Sequence, residues 1–200
     1  MLNSVKSRLH DRSQISKVRI ISGKYKSRQI KFNGADNASL RPTSDRLRET
    51  LFNWLMPYIF DATSLDAFAG SGALGFEALS RLAKSCDFFE LDHQAIQHLN
   101  SNKAKLNINN ACIQQKDVLS HLKTCDNYQV IFLDPPFNSD LLHEALSSII
   151  DNNNINDESV IYAECGSNIP ASFLECFTTL KKTKQGAIYA CLLQKQPFIL

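Results

Sequence analysis

Between residues 64 and 163, five short apolar segments alternate with stretches of helical period. Ser64–Phe68, Cys86–Leu91, Ala111–Gln114, Val130–Leu133 and Val160–Ala163 read as strands. Helices are expected after Gly72, over Gln94–Leu106, and through Leu141, Leu142, Ala145, Leu146 and Ile149. Strands joined by helices need right-handed crossovers, and these impose a mostly parallel sheet covered on both faces. The expected fold class is therefore α/β, a doubly wound sheet. The alternation breaks near the end, where Cys176–Lys182 and Ala187–Gln194 are joined by Lys-Gln-Gly with no helix between them. That reads as a C-terminal antiparallel hairpin.

The part before residue 43 differs in kind. Val18–Gly23 and Ser27–Phe32 alternate apolar with largely basic positions around a Gly23-containing turn, which reads as a small N-terminal β-hairpin. From Thr43 a helix is expected, because Leu47, Leu51, Trp54, Leu55 and Tyr58 recur at helical spacing, with Thr43 or Ser44 as N-cap after Pro42. The division that follows is a flexible basic arm over 1–16, a basic hairpin appendage over 17–42 and a catalytic domain over 43–200. The charge follows this division. Residues 1–50 hold 12 Lys and Arg against 4 Asp and Glu, whereas residues 51–200 hold 10 against 16. A basic arm on a mildly acidic body suits a polyanion partner, because Lys and Arg contacts to phosphate release counterions; a solvated tail is the plain alternative. The first 20 residues also share the basic, serine-rich composition of organelle transit peptides, although an RNA-contacting arm is the preferred reading.

Several function classes are set aside. The six cysteines form no C-x-x-C pair, and several lie in apolar runs, so reduced, structural thiols are expected. The five histidines make no metal-binding pattern, and no metal is expected. No apolar run approaches the roughly 18 residues of a membrane span, and no secretory h-region follows Met1, so a cytoplasmic protein without membrane contact is expected.

Leu65-Asp66-Ala67-Phe68-Ala69-Gly70-Ser71-Gly72-Ala73-Leu74-Gly75 runs from the first strand of the alternation through a glycine turn into a helix. Such a turn brings a nucleotide-type ligand to the carboxyl edge of the sheet, against unpaired helix N–H groups. Gly70, Gly72 and Gly75 also satisfy the dinucleotide fingerprint, and Glu90 lies 18 residues beyond Gly72 at a strand end, where it can accept ribose hydroxyls. From this stretch alone a nicotinamide-dependent oxidoreductase stays open. Asp66 leans the other way, since a carboxylate there suits a cationic amino group and repels a pyrophosphate. That favours S-adenosylmethionine, with S-adenosylhomocysteine as product. The candidate cofactor set is Asp66, Phe68, Gly70, Gly72, Glu90, Leu91, Asp117 and Val118, Asp117 being placed to accept from an adenine amino group or simply to cap a helix.

After Val130–Leu133 comes Asp134-Pro135-Pro136-Phe137. Paired prolines fix the backbone and remove N–H groups, which leaves a rigid turn rich in acceptors. An exocyclic base amine is a poor nucleophile because its lone pair is delocalised. If the Asp134 carboxylate and the Pro135 carbonyl each accept one of its hydrogens, the lone pair is localised and aimed, and Phe137 offers a face for the base. Asp134, Pro135, Pro136 and Phe137 are the candidate catalytic residues. Arg19, Lys24, Tyr25, Lys26, Arg28, Arg41, Thr43 and Arg46 are the candidate substrate contacts.

With these motifs placed, the chain resembles the bacterial RsmD family, which methylates the N2 amine of a guanine in 16S ribosomal RNA. The resemblance runs from about Arg19 to near Gln194. It rests on Arg19-Ile20-Ile21-Ser22-Gly23-Lys24-Tyr25, Leu40 to Glu49, Asp66 to Leu79, and Asp134 to Phe137. It implies a Rossmann-like class I methyltransferase sheet, S-adenosylmethionine held by Asp66, Gly70, Gly72, Glu90 and Asp117, and the target guanine held by Asp134–Phe137. It further implies that Arg41-Pro42-Thr43 helps to close the site, and that the partner is 16S rRNA, free or in the assembling small subunit, met by a monomer. Ser22 and Ser27 depart from the small or glycine residues usual in the hairpin. An adenine-N6 methyltransferase, which uses the same acceptor turn, and a noncatalytic RNA-binding protein are the rival readings.

Overall fold

The computed structural model describes residues 15–34, 44–136, 139–166, 173 and 175–196. Their elements, in chain order, are β1 (Ile15–Arg19), β2 (Gln29–Asn33), α1 (Asp45–Trp54), β3 (Thr63–Asp66), α2 (Ala73–Ser80), β4 (Ser85–Glu90) and α3 (His93–Lys105). There follow β5 (Ala111–Gln115), α4 (Val118–Leu122), β6 (Val130–Leu133), α5 (Leu141–Asp151), β7 (Val160–Cys165), β8 (Phe177–Gln185) and β9 (Ile188–Lys195). Arg41, Thr43 and Phe137 lie outside the described residues, as do residues 1–14 of the arm.

Seven strands form one sheet in the order β5-β4-β3-β6-β7-β9-β8. β3 to β7 pair parallel, and β9 returns antiparallel between β7 and β8. The chain winds outward from β3 through β4 to β5 and then crosses back to β6. The order therefore reverses between β3 and β6, and a crevice opens there beyond the carboxyl ends of the strands. Two apolar layers hold this sheet. Leu65, Ile131, Leu133, Ile161 and Ala163 face α4 and α5, while Val130, Phe132, Val160 and Tyr162 face α1 and α2. Consecutive residues of β6 thus serve opposite layers and all are buried, which is why that strand reads as an unbroken apolar run.

The helix starts follow local chemistry. Ser44 caps α1 by accepting from Leu47 N, Asp92 caps α3 by accepting from Ala95 N, and Asp117 caps α4 by accepting from Leu119 N. The five-residue α4 is too short to display a period, and only the reading of Asp117 as a helix cap pointed to it.

The N-terminal hairpin departs from expectation in the bounds of its strands. β1 begins at Ile15, two residues inside the expected arm, and pairs Ile15 with Asn33 and Arg19 with Gln29. The expected strand segment at 20–23 is instead part of a wide connection docked on α2. Ile20 N still donates across the ribbon to Arg28 O at 2.9 Å, but the donors after it go to the helix: Ile21 N and Ser22 N to the two Glu77 oxygens at 2.7 and 3.0 Å, Lys24 N to Ser80 O at 2.7 Å, and Tyr25 N to Ser80 Oγ at 2.9 Å. Gly23 has φ +81°, and a Cβ there would stand 1.9 Å from Ser80 O, so only glycine lets the loop lie this close. β2 is tied down separately, with Asn102 of α3 accepting from Lys31 N at 2.9 Å and donating to Lys31 O at 2.8 Å.

Candidate functional site

The site is assembled at the reversal point, starting from the end of β3. Asp66 is buried, and its Oδ2 accepts from Gly75 N at 2.9 Å, strapping the strand to the first turn of α2. Burial pushes its carboxyl up to about 7; the Gly75 N–H pulls the other way, and the Glu90 charge adds to the rise. Gly75 is also where helix meets sheet, since a Cβ there would lie 2.3 Å from the Phe88 ring. Gly72 sits at the N-cap of α2 with φ 77°.

Glu90 ends β4 and organises the loop edges. Its Oε2 accepts from Gly70 N at 2.8 Å, and its Oε1 accepts from Leu91 N at 2.7 Å and Asp92 N at 2.8 Å. The carboxylate thereby pins the glycine turn to the start of α3. A carboxylate oxygen has further acceptor capacity, so ribose hydroxyls can still be received there. Leu91 next to it is 66 % exposed, an apolar side chain presented at the rim of a cavity rather than to a core.

That cavity has a volume of about 300 Å³, at the lower end for a small-molecule site. Its wall includes Phe68, Gly70, Glu90, Leu91, Asp117 and Val118 on one side and Asp134 and Pro136 on the other. Six of the eight expected cofactor residues thus converge on the space that also meets the acceptor turn. Asp66 and Gly72 are not in its wall; Asp66 Oδ2 accepts from Gly75 N and Gly72 is the N-cap of α2.

In the acceptor turn Pro135 is buried and Pro136 exposed. The Pro136 carbonyl accepts from Ser139 Oγ at 2.7 Å, which braces the turn toward α5. Behind it, the register pairs Leu133 with Ala163, so Glu164 of β7 lies beside Asp134. Tyr162 OH donates to Glu164 Oε1 at 2.6 Å, both side chains being buried. Burial pushes the Tyr162 hydroxyl up, and the charges of Glu164 and Asp134 add to the rise.

Among the expected substrate contacts, Arg19, Lys24, Lys26, Arg28 and Arg46 are exposed and Tyr25 is half-buried. Arg19 lies 3.6 Å from Asp45, an exposed pair of little energetic weight. Arg48 of α1 is different: it is fully buried, donates to Arg19 O at 2.9 Å and Asp45 Oδ1 at 2.6 Å, and leaves Nε and Nη1 without partners among the described residues. Lys116 and Asp92, beside expected residues, and Phe32 and Asn33 of the hairpin also line the cavity. None of the four was expected. Phe32 carries a signal only as an apolar hairpin position, and nothing in its spacing says that it meets residues 90–95.

Comparison with known proteins gives the architecture its context. The family model described as conserved hypothetical protein 95 matches residues 18–194. The ribosomal RNA small subunit methyltransferase D of Haemophilus influenzae is 42 % identical over 176 residues, covering 86 % of this chain and 90 % of that one. The protein of the same description from Escherichia coli strain K12 is 45 % identical over 148 residues, 74 % of each chain. Among solved structures, a putative methyltransferase from Escherichia coli superposes with a TM-score of 0.78 at 38 % identity, covering 90 % of this chain and 99 % of that one. A putative methylase from Haemophilus influenzae gives 0.76 at 38 % identity, with 91 % and 100 % covered. The doubly wound seven-stranded sheet with its C-terminal antiparallel hairpin is the class I methyltransferase fold, and the N-terminal hairpin is a separate two-stranded sheet beside it.

Proposed function

The chain belongs to the RsmD family, conserved hypothetical protein 95, and on that premise we propose that it methylates the exocyclic N2 amine of a guanine in 16S ribosomal RNA, with S-adenosylmethionine as donor. One observation carries the reading: a single cavity has Glu90, Leu91 and Asp117 on one wall and Asp134 and Pro136 of the proline turn on another. A nicotinamide oxidoreductase leaves that second wall without a task. Relatives described as small-subunit rRNA methyltransferases support the nucleic-acid substrate.

The wall fits the donor. Glu90 offers acceptors to ribose hydroxyls, the exposed Leu91 and the buried Val118 offer apolar surface to an adenine, and Asp117 stands beside them. When bound, S-adenosylmethionine supplies a methyl group on a sulfonium, which is already a good leaving group. The remaining work falls to the chain. The Asp134 carboxylate and the Pro135 carbonyl each accept a hydrogen bond from the target amine, which localises its lone pair and directs it into the cavity. As the N–C bond forms and the donor's S–C bond breaks, the amine becomes cationic and releases one proton to solvent. Such acceptor positioning supplies several kcal/mol of barrier reduction, on the order of the loss seen when one preorganised group is removed from other active sites. Burial of Pro135 and the Ser139 bond to Pro136 hold the two acceptors without reorganisation. Outside the cavity, the exposed hairpin cations meet RNA phosphates.

Asp134→Ala tests the reading. Methyl transfer to small subunits from a deletion strain falls by at least about a hundredfold, while S-adenosylhomocysteine affinity by calorimetry stays within about twofold, because the cofactor wall is untouched. Retained turnover would sink the mechanism. Mass mapping of rRNA nucleosides from the deletion strain tests the base: loss of one N2-methylguanosine is expected, and loss of an N6-methyladenosine instead would overturn the assignment.

A further inference from the structure

Beside the acceptor turn, β7 ends in a buried ionisable pair. Tyr162 is fully buried and Glu164 is 1 % exposed, and the Tyr162 hydroxyl donates to Glu164 Oε1 at 2.6 Å. Accepting from a phenol needs only an oxygen, which the side-chain amide of glutamine offers as well as a carboxylate does. The Tyr162 bond alone therefore does not call for a charge at this position, and an ionised carboxylate is costly to bury.

The pair's place in the sheet gives that charge a use. Phe132 and Tyr162 are register partners that both face α1 and α2, and a side chain two positions further along a strand returns to the same face. Asp134 and Glu164 follow them on that face, on strands about 4.8 Å apart. The Tyr162 hydroxyl lies within electrostatic reach of both carboxylates, since their charges each add to the rise that burial imposes on it. Asp134 lines the cavity and Glu164 does not. Across the sheet, in the order β5-β4-β3-β6-β7, Asp117 follows β5, Glu90 ends β4 and Asp134 follows β6. Glu164 thus stands one strand beyond the acceptor turn, on the side away from the cofactor wall.

Methyl transfer to an amine moves positive charge. As the nitrogen lone pair forms the N–C bond and the S–C pair returns to sulfur, the charge passes from sulfur to the amine, which keeps it until one proton leaves for solvent. A fixed negative charge speeds this step only if it is nearer to the nitrogen than to the sulfur. Glu164 meets that condition, because the acceptor turn lies between it and the cofactor wall. We propose that Glu164 is a positioning residue of the methyl transfer: held by Tyr162 one strand beyond Asp134, its carboxylate acts by charge, without touching the substrate, to stabilise the amine nitrogen as it turns cationic. This rests on the amine-methylation reading above. The Tyr162 bond fixes the carboxylate beforehand, so the charge needs no reorganisation as the amine arrives.

The test compares two variants with the unaltered chain. Glu164→Gln keeps an acceptor for Tyr162 and nearly the same volume but removes the charge; Glu164→Asp keeps the charge and shortens the reach to Tyr162. Single-turnover transfer from S-adenosylmethionine to unmethylated small subunits, with enzyme in excess, reads the chemical step, and its dependence on enzyme concentration reads subunit affinity. For Glu164→Gln the saturated rate should fall by at least about tenfold. Subunit affinity, calorimetric S-adenosylhomocysteine affinity and the urea midpoint should stay within about twofold, because neither cavity wall is touched. Glu164→Asp should retain more of the rate than Glu164→Gln, whereas a packing role predicts the reverse order. A Glu164→Gln rate within about twofold of the parent, a loss confined to affinity, or Glu164→Asp falling below Glu164→Gln overturns the proposal. A Glu164→Gln chain that unfolds overturns it as well, since the need would then be structural. If Asp134→Ala is inactive beside a fully active Glu164→Gln, this inference alone fails; an unaltered chain that methylates no rRNA removes the reading beneath it instead.

Discussion

Replacing Asp66 by Asn isolates the cost of a buried carboxylate at the root of the glycine turn. The side chain is 2 % exposed, and the amide oxygen of Asn can still accept from Gly75 N, now at 2.9 Å from Asp66 Oδ2, so the strap from β3 to α2 survives the change. What disappears is the ionisation. Burial pushes the Asp66 carboxyl from an ordinary 3.8 up to about 7, a gap worth about 4 kcal/mol at one decade per 1.36 kcal/mol. The sign follows from which state holds the proton. Between those values the folded chain keeps it and the unfolded chain has released it, so this contribution to stability is fully present below about pH 4 and is lost as pH rises through about 7. Urea unfolding at pH 4, 5.5, 7 and 8 on both chains gives the difference directly, other titrating groups cancelling. The variant should gain on the parent across that range by up to about 4 kcal/mol. A difference that is flat with pH would refute the buried, proton-holding Asp66. The same variant settles a second point: if the Asp66 carboxylate also receives the donor's amino group, S-adenosylhomocysteine affinity falls, and an unchanged affinity leaves Asp66 as the strap alone.

Glu77→Ala removes the acceptor for Ile21 N, Ser22 N and Arg81 Nε at once, and unpaired buried donors of this kind cost about 3 kcal/mol or more. Faster proteolysis within residues 15–34 and weaker cofactor binding are expected; a hairpin as protected as in the parent would count against the Glu77 clamp. Gly75→Ala drives a methyl group into the Phe88 ring at 2.3 Å, so the urea midpoint should fall by the equivalent of about 1 to 3 kcal/mol, and an unchanged midpoint would mean that helix and sheet are packed less closely there. RNA affinity should fall steeply with salt, and neutralising Lys17, Arg19 and Lys31 together should lower the log–log slope by about 2 to 3. An unaltered slope would move the RNA contact off the hairpin's outer face.

The alternation of strands and helices was readable because each element carries its own period. Val130–Leu133 is a strand on apolarity alone, and Ser44 and Asp117 mark helix starts through bonds to residues two or three positions on. The acceptor turn and most of the glycine-loop set were legible for a similar reason, since paired prolines and closely spaced glycines state their backbone chemistry locally. Tertiary structure decided the rest. The hairpin's first strand ends before its expected bound because Ile21, Ser22, Lys24 and Tyr25 donate to α2, more than 50 positions away, rather than across the ribbon. Asp66 lies outside the cavity wall with its Oδ2 on Gly75 N, and Phe32 and Asn33 line that wall on a β2 that Asn102 and Gln94 hold to α3. Local pattern determined most of the elements and where the paired-proline turn falls. Which residues share one cavity depended on bonds between distant segments, which no periodicity records.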